Sequence, residues 1–418
     1  MRHNRLTHLA WCGAMVGAAA LTLVVPGCPG CPPGKPTSPG GIEQRPVVTP
    51  EGVPVVRVLV SSGSTLRVST TGGYRILVDG REVGGSASPL ASAELSLREG
   101  SWTWPGGSAA GRRLKLEGVG QCLVGLGSTF YRGYLVFHTG NGEIKAVNYV
   151  EVESYLAGVL ARELFQDWDR RAYEAQAVAA RTYALYDRAT IGRGREYDVT
   201  DNQSSQVYGG IGAETELSRL AVRNTRGLVL GCGPRGEERI FRTHFSSTCG
   251  GMTNSVYVLY GPPVTKGPLA GGVVCTDCSR STRYRWPTVT VSKRVIHQAV
   301  ARGYPESAGF GGVKAVVVTE ELAGRAVWVD VVGADNRKLR IRADDLRLCL
   351  LREGVRNLNS MNCRIVDRGS SIAFTEGKGF GHGVGLCQWG TQGKALRGES
   401  VEDILFNYYP GAKLFRAY

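Results

Sequence analysis

From residue 53 to about 150 the chain alternates apolar and polar positions in short runs broken by glycine. Val56-Arg57-Val58-Leu59-Val60, Leu66-Arg67-Val68, Arg75-Ile76-Leu77-Val78, Leu114-Lys115-Leu116 and Phe130 to Phe137 each read as a strand between glycine-containing turns. At Val152 the period lengthens to that of a helix. Tyr155, Leu156, Val159 and Leu160 mark one helical face, and the alanine-rich run Ala172 to Ala189 predicts a second helix. Strand patterns return from Ile240 to Arg342, with a predicted helix over Lys293 to Arg302. A last helix, Glu399 to Tyr408, stops before Pro410-Gly411. The pattern predicts an α+β fold, a strand-rich domain with an inserted helical segment.

The first 28 residues do not fit this scheme. Arg2 and Arg5 precede an apolar run from Leu9 to Val25, and no acidic residue occurs before Glu43. This reads as a secretory signal, too short and poorly flanked for a membrane span. Val25-Pro26-Gly27-Cys28 leaves two readings open, a lipoprotein site that anchors the chain at Cys28 or an ordinary leader followed by a cysteine. Residues 29–52 are rich in Pro and Gly without periodicity and form a linker. Residues 53–418 then make up the folded part, with a strand-rich half at 53–150 and a catalytic-type core at 151–418.

Export changes the meaning of charge and cysteine. The formal charge of +14 falls to +12 once Arg2 and Arg5 leave with the signal (14 − 2). Outside the cytoplasm such a balance favours anionic wall polymer or membrane surface. The arginines are scattered and no nucleic-acid motif accompanies them, so nucleic acid is not expected as a partner. Eleven cysteines in an exported chain invite a disulfide reading, and Cys349 with Cys363 could close a short loop.

Three constellations carry candidate chemistry. Glu163 falls near the end of the first predicted helix among Leu160, Leu164, Phe165 and Trp168. Apolar surroundings favour the protonated carboxyl that a general acid needs. Downstream, Gln176, Arg181 and Tyr183 are polar points on the alanine-rich helix, with Gln176 and Arg181 as candidate substrate contacts. The second constellation is His244, Cys249, Cys275 and Cys278, where one imidazole and three thiols make a set for tetrahedral structural zinc. Cys275-x-x-Cys278 alone would equally suit a disulfide. The third is the stretch GKGFGHGVGLCQWG from Gly377 to Gly390, which has neither helical nor strand period. Glycine at every second position from Gly377 to Gly385 allows dihedrals that other residues avoid. Gln206, Tyr208, His382, Gln388 and Trp389 are of the types that contact sugars. Cys387 has no activating charge neighbour and reads as an inert packed thiol.

These segments occur in the order found in one family. Asn148 to Glu153 leads into Tyr155-Leu156-Ala157-Gly158-Val159, Glu163 and then AQAVAARTYA. Asp201, Gln206-Val207-Tyr208-Gly209, Ala221-Val222 to Thr225-Arg226-Gly227, FSSTCGG at Phe245 to Gly251, GHGVGLCQWG and NYYPG follow. Over about residues 54–415 the chain resembles the stage II sporulation protein D family, which includes LytB-type amidase enhancers. The resemblance implies work on peptidoglycan: lytic transglycosylases that cut glycan strands stripped of stem peptides, and activators of an N-acetylmuramoyl-L-alanine amidase. Carried over by position, Glu163 is the single catalytic acid and base, and an anhydro-sugar is the product. Some members hold zinc in an arrangement resembling the His–Cys set. Where the family often has Pro before the second helix, this chain has Asp169. Beside the helical segment, the glycine stretch reads as the wall closing a cleft, with His382 and Gln388 positioning the glycan over Glu163.

Overall fold

The computed structural model describes residues 52–140, 142–261 and 266–418. The expected signal, Cys28 and all of the linker but its last residue lie outside these. Two compact units divide the described chain. One runs to Thr243 and takes back Lys413–Tyr418, and the other is His244–Ala412. Helices and many strands occur together, as the α+β expectation requires.

In the first unit, seven strands form a sheet in the order Val199–Thr200, Val55–Gly63, Glu143–Glu151, Tyr134–Gly140, Arg113–Gly118, Tyr74–Val78 and Arg81–Ser86. All neighbours are antiparallel except the first pair. Val56, Val58 and Val60 point to the buried face at every second position, as the alternation predicts. A six-stranded antiparallel sheet runs Thr129–Tyr131, Val124–Leu126, Thr65–Thr70, Ala93–Arg98, Ser101–Trp104 and Gly107–Ala110. Trp102 of this sheet and Phe137 of the other, both fully buried, bring their rings to 6.5 Å. That contact joins the two sheets through one core.

The boundary expected at 150/151 is not where the units part. Strand Glu143–Glu151 runs straight into helix α1 (Val152–Glu163), and the N–H of Val152 bonds to the carbonyl of Pro54. Helix α2 (Arg170–Ala189) packs against strand Val55–Gly63 and strand Leu228–Cys232, and α3 (Glu216–Asn224) packs on α1 and α2. The expected core at 151–418 is therefore shared between the units. Alanines on both flanks of α2 let it be buried almost all round from Ala172 to Asp187. Asp169 caps α2: its carboxylate accepts the N–H of Arg171 at 2.8 Å.

The second unit holds α4 (Tyr257–Tyr260), α5 (Lys293–Gly303), α6 (Ala343–Arg352), α7 (Gln388–Leu396) and α8 (Val401–Tyr408). Two three-stranded antiparallel sheets accompany them, Val289–Ser292/Ser371–Thr375/Arg364–Asp367 and Val313–Leu322/Arg325–Gly333/Lys338–Arg342. Ile296 and Val300 of α5 and Leu346 and Leu350 of α6 meet Val329, Val331, Ile341 and Phe374 in its core. Cys349 and Cys363, expected as a short-loop pair, both sit in that core with no disulfide between them. Among the described residues no helix is long and apolar enough to cross a membrane.

Candidate functional site

Glu163 is the last residue of α1 and is half-buried. The chain turns extended at Leu164, and the Glu163 Oε1 accepts the main-chain N–H of Val207 at 3.0 Å. Of its apolar neighbours in sequence, Leu160, Leu164 and Trp168 are buried. Phe165 is 58% exposed, its ring tilted against Trp168 at 5.5 Å.

The loop that supplies Val207 is fastened from within. Gln206 is fully buried, accepts the Tyr155 hydroxyl at 2.9 Å and donates to the Ala180 carbonyl at 3.2 Å. Tyr208 donates to Asn148 Oδ1 at 3.2 Å, and its ring lies 5.0 Å from that of Tyr155. Burial pushes both phenols well above their ordinary pKa, so they act as neutral hydrogen-bonding groups. Gly158 lets this happen, because a Cβ there would come within 2.8 Å of the Tyr208 ring and 2.9 Å of the Gly210 carbonyl. Gln206 and Tyr208 have the chemistry expected of sugar contacts. Their side chains instead tie the loop to α1, α2 and the sheet.

Arg181 is likewise engaged within the fold. Its guanidinium is fully buried, bonded to Glu153 at 2.7 and 3.2 Å and to the Leu228 carbonyl at 3.1 Å. Glu153 also accepts the Gly227 N–H and the Tyr418 hydroxyl, so the pair pins the C-terminal strand Lys413–Arg416 beside α1 and α2. Gln176 is fully buried too, and neither amide atom has a partner among the described residues. Farther along α2, Asp187 binds Arg242 at 2.8 Å, and Arg242 also donates to the Tyr183 hydroxyl. Burial pushes the Asp187 carboxyl up to about 6, against the pull of Arg242.

In the second unit the glycine-rich stretch is partly regular. Gly377–Lys378 pairs with Arg285–Trp286, and Leu386–Cys387 runs parallel to Phe245–Ser246. Gly379, Gly381, Gly383 and Gly385 between them all have left-handed φ, from 68° to 94°. Gln388 and Trp389, expected in the loop, open α7 instead, and Gln388 is buried. His382 Nδ1 accepts the Val384 N–H at 3.0 Å, and burial lowers its pKa to about 4. A neutral imidazole so held shapes the turn.

The metal set also changes. Four buried thiols, Cys249, Cys275, Cys278 and Cys387, place their sulfurs within 4.8 Å of one another. His244 is not among them. Its ring lies beside Tyr260 at 5.4 Å and edge-on to His382 at 5.8 Å, and its carbonyl accepts the Tyr409 hydroxyl. Sequence reasoning misses Cys387 because it stands alone, more than a hundred residues after the CxxC pair.

A family model described as stage II sporulation protein matches residues 140–231, which bracket α1, α2 and the Val207 loop. An uncharacterized protein of Brachyspira hyodysenteriae is 32% identical over 284 residues, covering 68% of this chain and 72% of its own length. The chain belongs to the stage II sporulation protein D family. Stage II sporulation protein D of Bacillus subtilis is 28% identical, with 68% of this chain and 78% of that protein aligned. An amidase enhancer of the same organism is 24% identical, over 62% of this chain but 40% of the enhancer. These relationships associate the chain with the cell wall.

Proposed function

We propose that this protein is an exported lytic transglycosylase that cuts peptidoglycan glycan strands, chiefly those stripped of stem peptides, with Glu163 as its single acid and base. The observation that carries this reading is the half-buried carboxylate at the end of α1, oriented by the Val207 N–H inside the segment that the family model matches. A carboxyl fixed by one oxygen on a rigid element suits proton transfer.

In the proposed reaction, protonated Glu163 gives its proton to the glycosidic oxygen as the bond to the anomeric carbon breaks. The resulting carboxylate takes the proton from the sugar's own 6-hydroxyl as that oxygen bonds to the anomeric carbon. A leaving hydroxyl and an anhydro ring are formed, no water is consumed, and Glu163 ends protonated as it began. One carboxylate therefore suffices where a hydrolase uses two. Phe165, exposed two residues beyond Glu163, offers a ring for a sugar face. His382, neutral at ordinary pH, contributes by shaping the glycine-rich turn. The chain's positive charge favours anionic wall polymer.

The relationship to an amidase enhancer supports a second reading, a wall-binding activator of an amidase that itself cuts nothing. Purified protein incubated with denuded glycan, alone and with an added amidase, separates the two. Anhydro ends released by the protein alone support the enzyme. No release alone, with the amidase still stimulated by the Glu163→Gln variant, supports the activator.

A further inference from the structure

In the second unit, strands Arg285–Trp286 and Gly377–Lys378 form a short antiparallel ribbon, with Arg285 directly opposite Lys378 and Trp286 opposite Gly377. The Gly379 N–H extends it by bonding to the Tyr284 carbonyl at 3.0 Å. Trp286 is buried on one face, packed against Gly377, and its ring N–H donates to the Gly379 carbonyl at 3.1 Å. By alternation the other face is cationic. Arg283 and Arg285 are exposed, Lys378 is half-buried, and the Arg283 guanidinium lies 4.7 Å over the Phe380 ring.

Like charges directly opposite each other weaken a strand pair, and an anion between them reverses the sign. Among the described residues none of these three cations forms an ion pair. Glu376, beside Gly377, is taken by Arg364 at 3.3 Å. Arg325 adds to the imbalance. It is 2% exposed, also has no ion pair among the described residues, and donates to the carbonyl of Gly381, one residue past Phe380, at 3.0 Å. A buried charge is little screened, so it strengthens the positive field over the ribbon. The cations are also held in place. Arg283 donates to Asn359 Oδ1 at 2.9 Å, while the main chain of Lys378 is pinned by the Asn362 carbonyl at 2.9 Å and the Ser360 hydroxyl at 2.6 Å.

We propose that Arg283, Arg285 and Lys378 bind free lactyl carboxylates along the glycan strand, and so select strands that have lost their stem peptides. The proposal rests on the glycan reading above and names the group in the glycan that this chain recognises. While a stem peptide is attached, the lactyl carboxyl of muramic acid is closed as a neutral amide. Removal of the stem leaves a carboxylate on the sugar itself, and that charge is what stripping adds to the strand. A guanidinium meets a carboxylate through two parallel hydrogen bonds, and the Lys378 ammonium supplies a point charge beside it. Selectivity is then the difference in affinity between charged and uncharged versions of one polymer.

The test is a titration of the full-length Glu163→Gln protein with two soluble preparations, stripped strands and the same strands with their carboxyls converted to methylamides. The carboxylate strands should bind roughly tenfold more tightly at low salt, and the difference should shrink in about 0.5 M salt. Adding Arg283→Gln, Arg285→Gln and Lys378→Gln together should make the two affinities equal. Arg294→Gln, which removes an exposed cation from α5, should leave the preference intact. If the combined variant fails to fold, the comparison of the two strands on Glu163→Gln alone still decides. Equal affinities there overturn the proposal, as does a preference that persists in the combined variant. So does binding of phosphatidylglycerol vesicles through these residues without binding of stripped strands. Preference for the carboxylate strands beside an unmodified protein that releases no anhydro ends would uphold this site and sink the enzyme. Release without preference would do the reverse.

Discussion

The main-chain N–H of Val207 donates to the Glu163 carboxylate at 3.0 Å. The next residue back, Gln206, is bonded to Tyr155 of the same helix that carries Glu163. Loop and helix are thus cross-linked twice, once at the carboxylate and once two turns earlier, where both side chains are fully buried. A main-chain donor is independent of side-chain identity at 207, so the fastening of the loop decides whether the donor stays in place.

Tyr155→Phe should cost about 1–3 kcal/mol, because it strands the buried acceptor of Gln206. Gln206→Leu should cost a similar amount. The double variant should lose clearly less than the sum, since the two side chains satisfy each other. Denaturant unfolding measures this. Both single variants should also lower release of anhydro products, because the Val207 N–H loses its seat. Additive losses with unchanged release would contradict the described role of the loop.

Removing one side of the Glu153–Arg181 pair should be far more harmful than its distance from Glu163 suggests. Arg181→Met leaves a carboxylate with the Gly227 N–H and the Tyr418 hydroxyl but no cation. A loss of about 3–5 kcal/mol is expected. Where the variant stays folded at low temperature, its affinity for denuded glycan should equal that of the unmodified protein. A weakened affinity without lost stability would restore Arg181 as a substrate contact.

Asp187 gives the first unit a pH dependence. Its folded pKa of about 6 lies above the ordinary 3.8, chiefly through burial, with Arg242 opposing and Asp198 adding to the rise. The native state therefore holds this proton more tightly than the unfolded chain. Stability from this group is full below pH 3.8 and is lost as pH rises through 6. A rise of this size corresponds to roughly 3 kcal/mol. Relative to Asp187→Asn, the unmodified protein should weaken by that order between pH 4 and 7 in unfolding measurements. A constant difference across that range would contradict the assignment.

Phe165→Ala should leave the midpoint of thermal unfolding nearly unchanged, because the ring is 58% exposed. It should raise KM on denuded glycan several-fold with a smaller effect on kcat, the loss of one stacked sugar being worth about 1 kcal/mol. An unchanged KM would remove Phe165 from the proposed glycan path.

The periodic parts of the chain are legible in the amino-acid sequence alone. Valines at 56, 58 and 60 have one face to bury, and the alanines of α2 have no side chain that resists close packing, so local pattern and final place agree. Glu163 can be placed near a helix end for the same reason. Long-range pairings are not legible. Gln206, Tyr208 and Arg181 have the chemistry of sugar contacts, and nothing local tells that Tyr155, Asn148 and Glu153 claim them. Cys387 stands 109 residues beyond Cys278 (387 − 278) and joins the other thiols through a parallel strand pair whose members are too short to show a period. Its glycine neighbours hide the same strand, because left-handed positions erase the alternation by which a strand is read. The start of α7 at Gln388 is hidden with it.

The most direct test of the account is the release of anhydro-ended fragments from peptidoglycan glycan stripped of its stem peptides, measured for the unmodified protein and Glu163→Gln at equal folded concentration. The amide keeps an oxygen for the Val207 N–H, so the fold and the loop should persist. The account predicts clear release by the unmodified protein and a fall of at least a hundredfold, about 3 kcal/mol of lost transition-state stabilisation, in the variant. Equal release by the two proteins, or none from either, would contradict it.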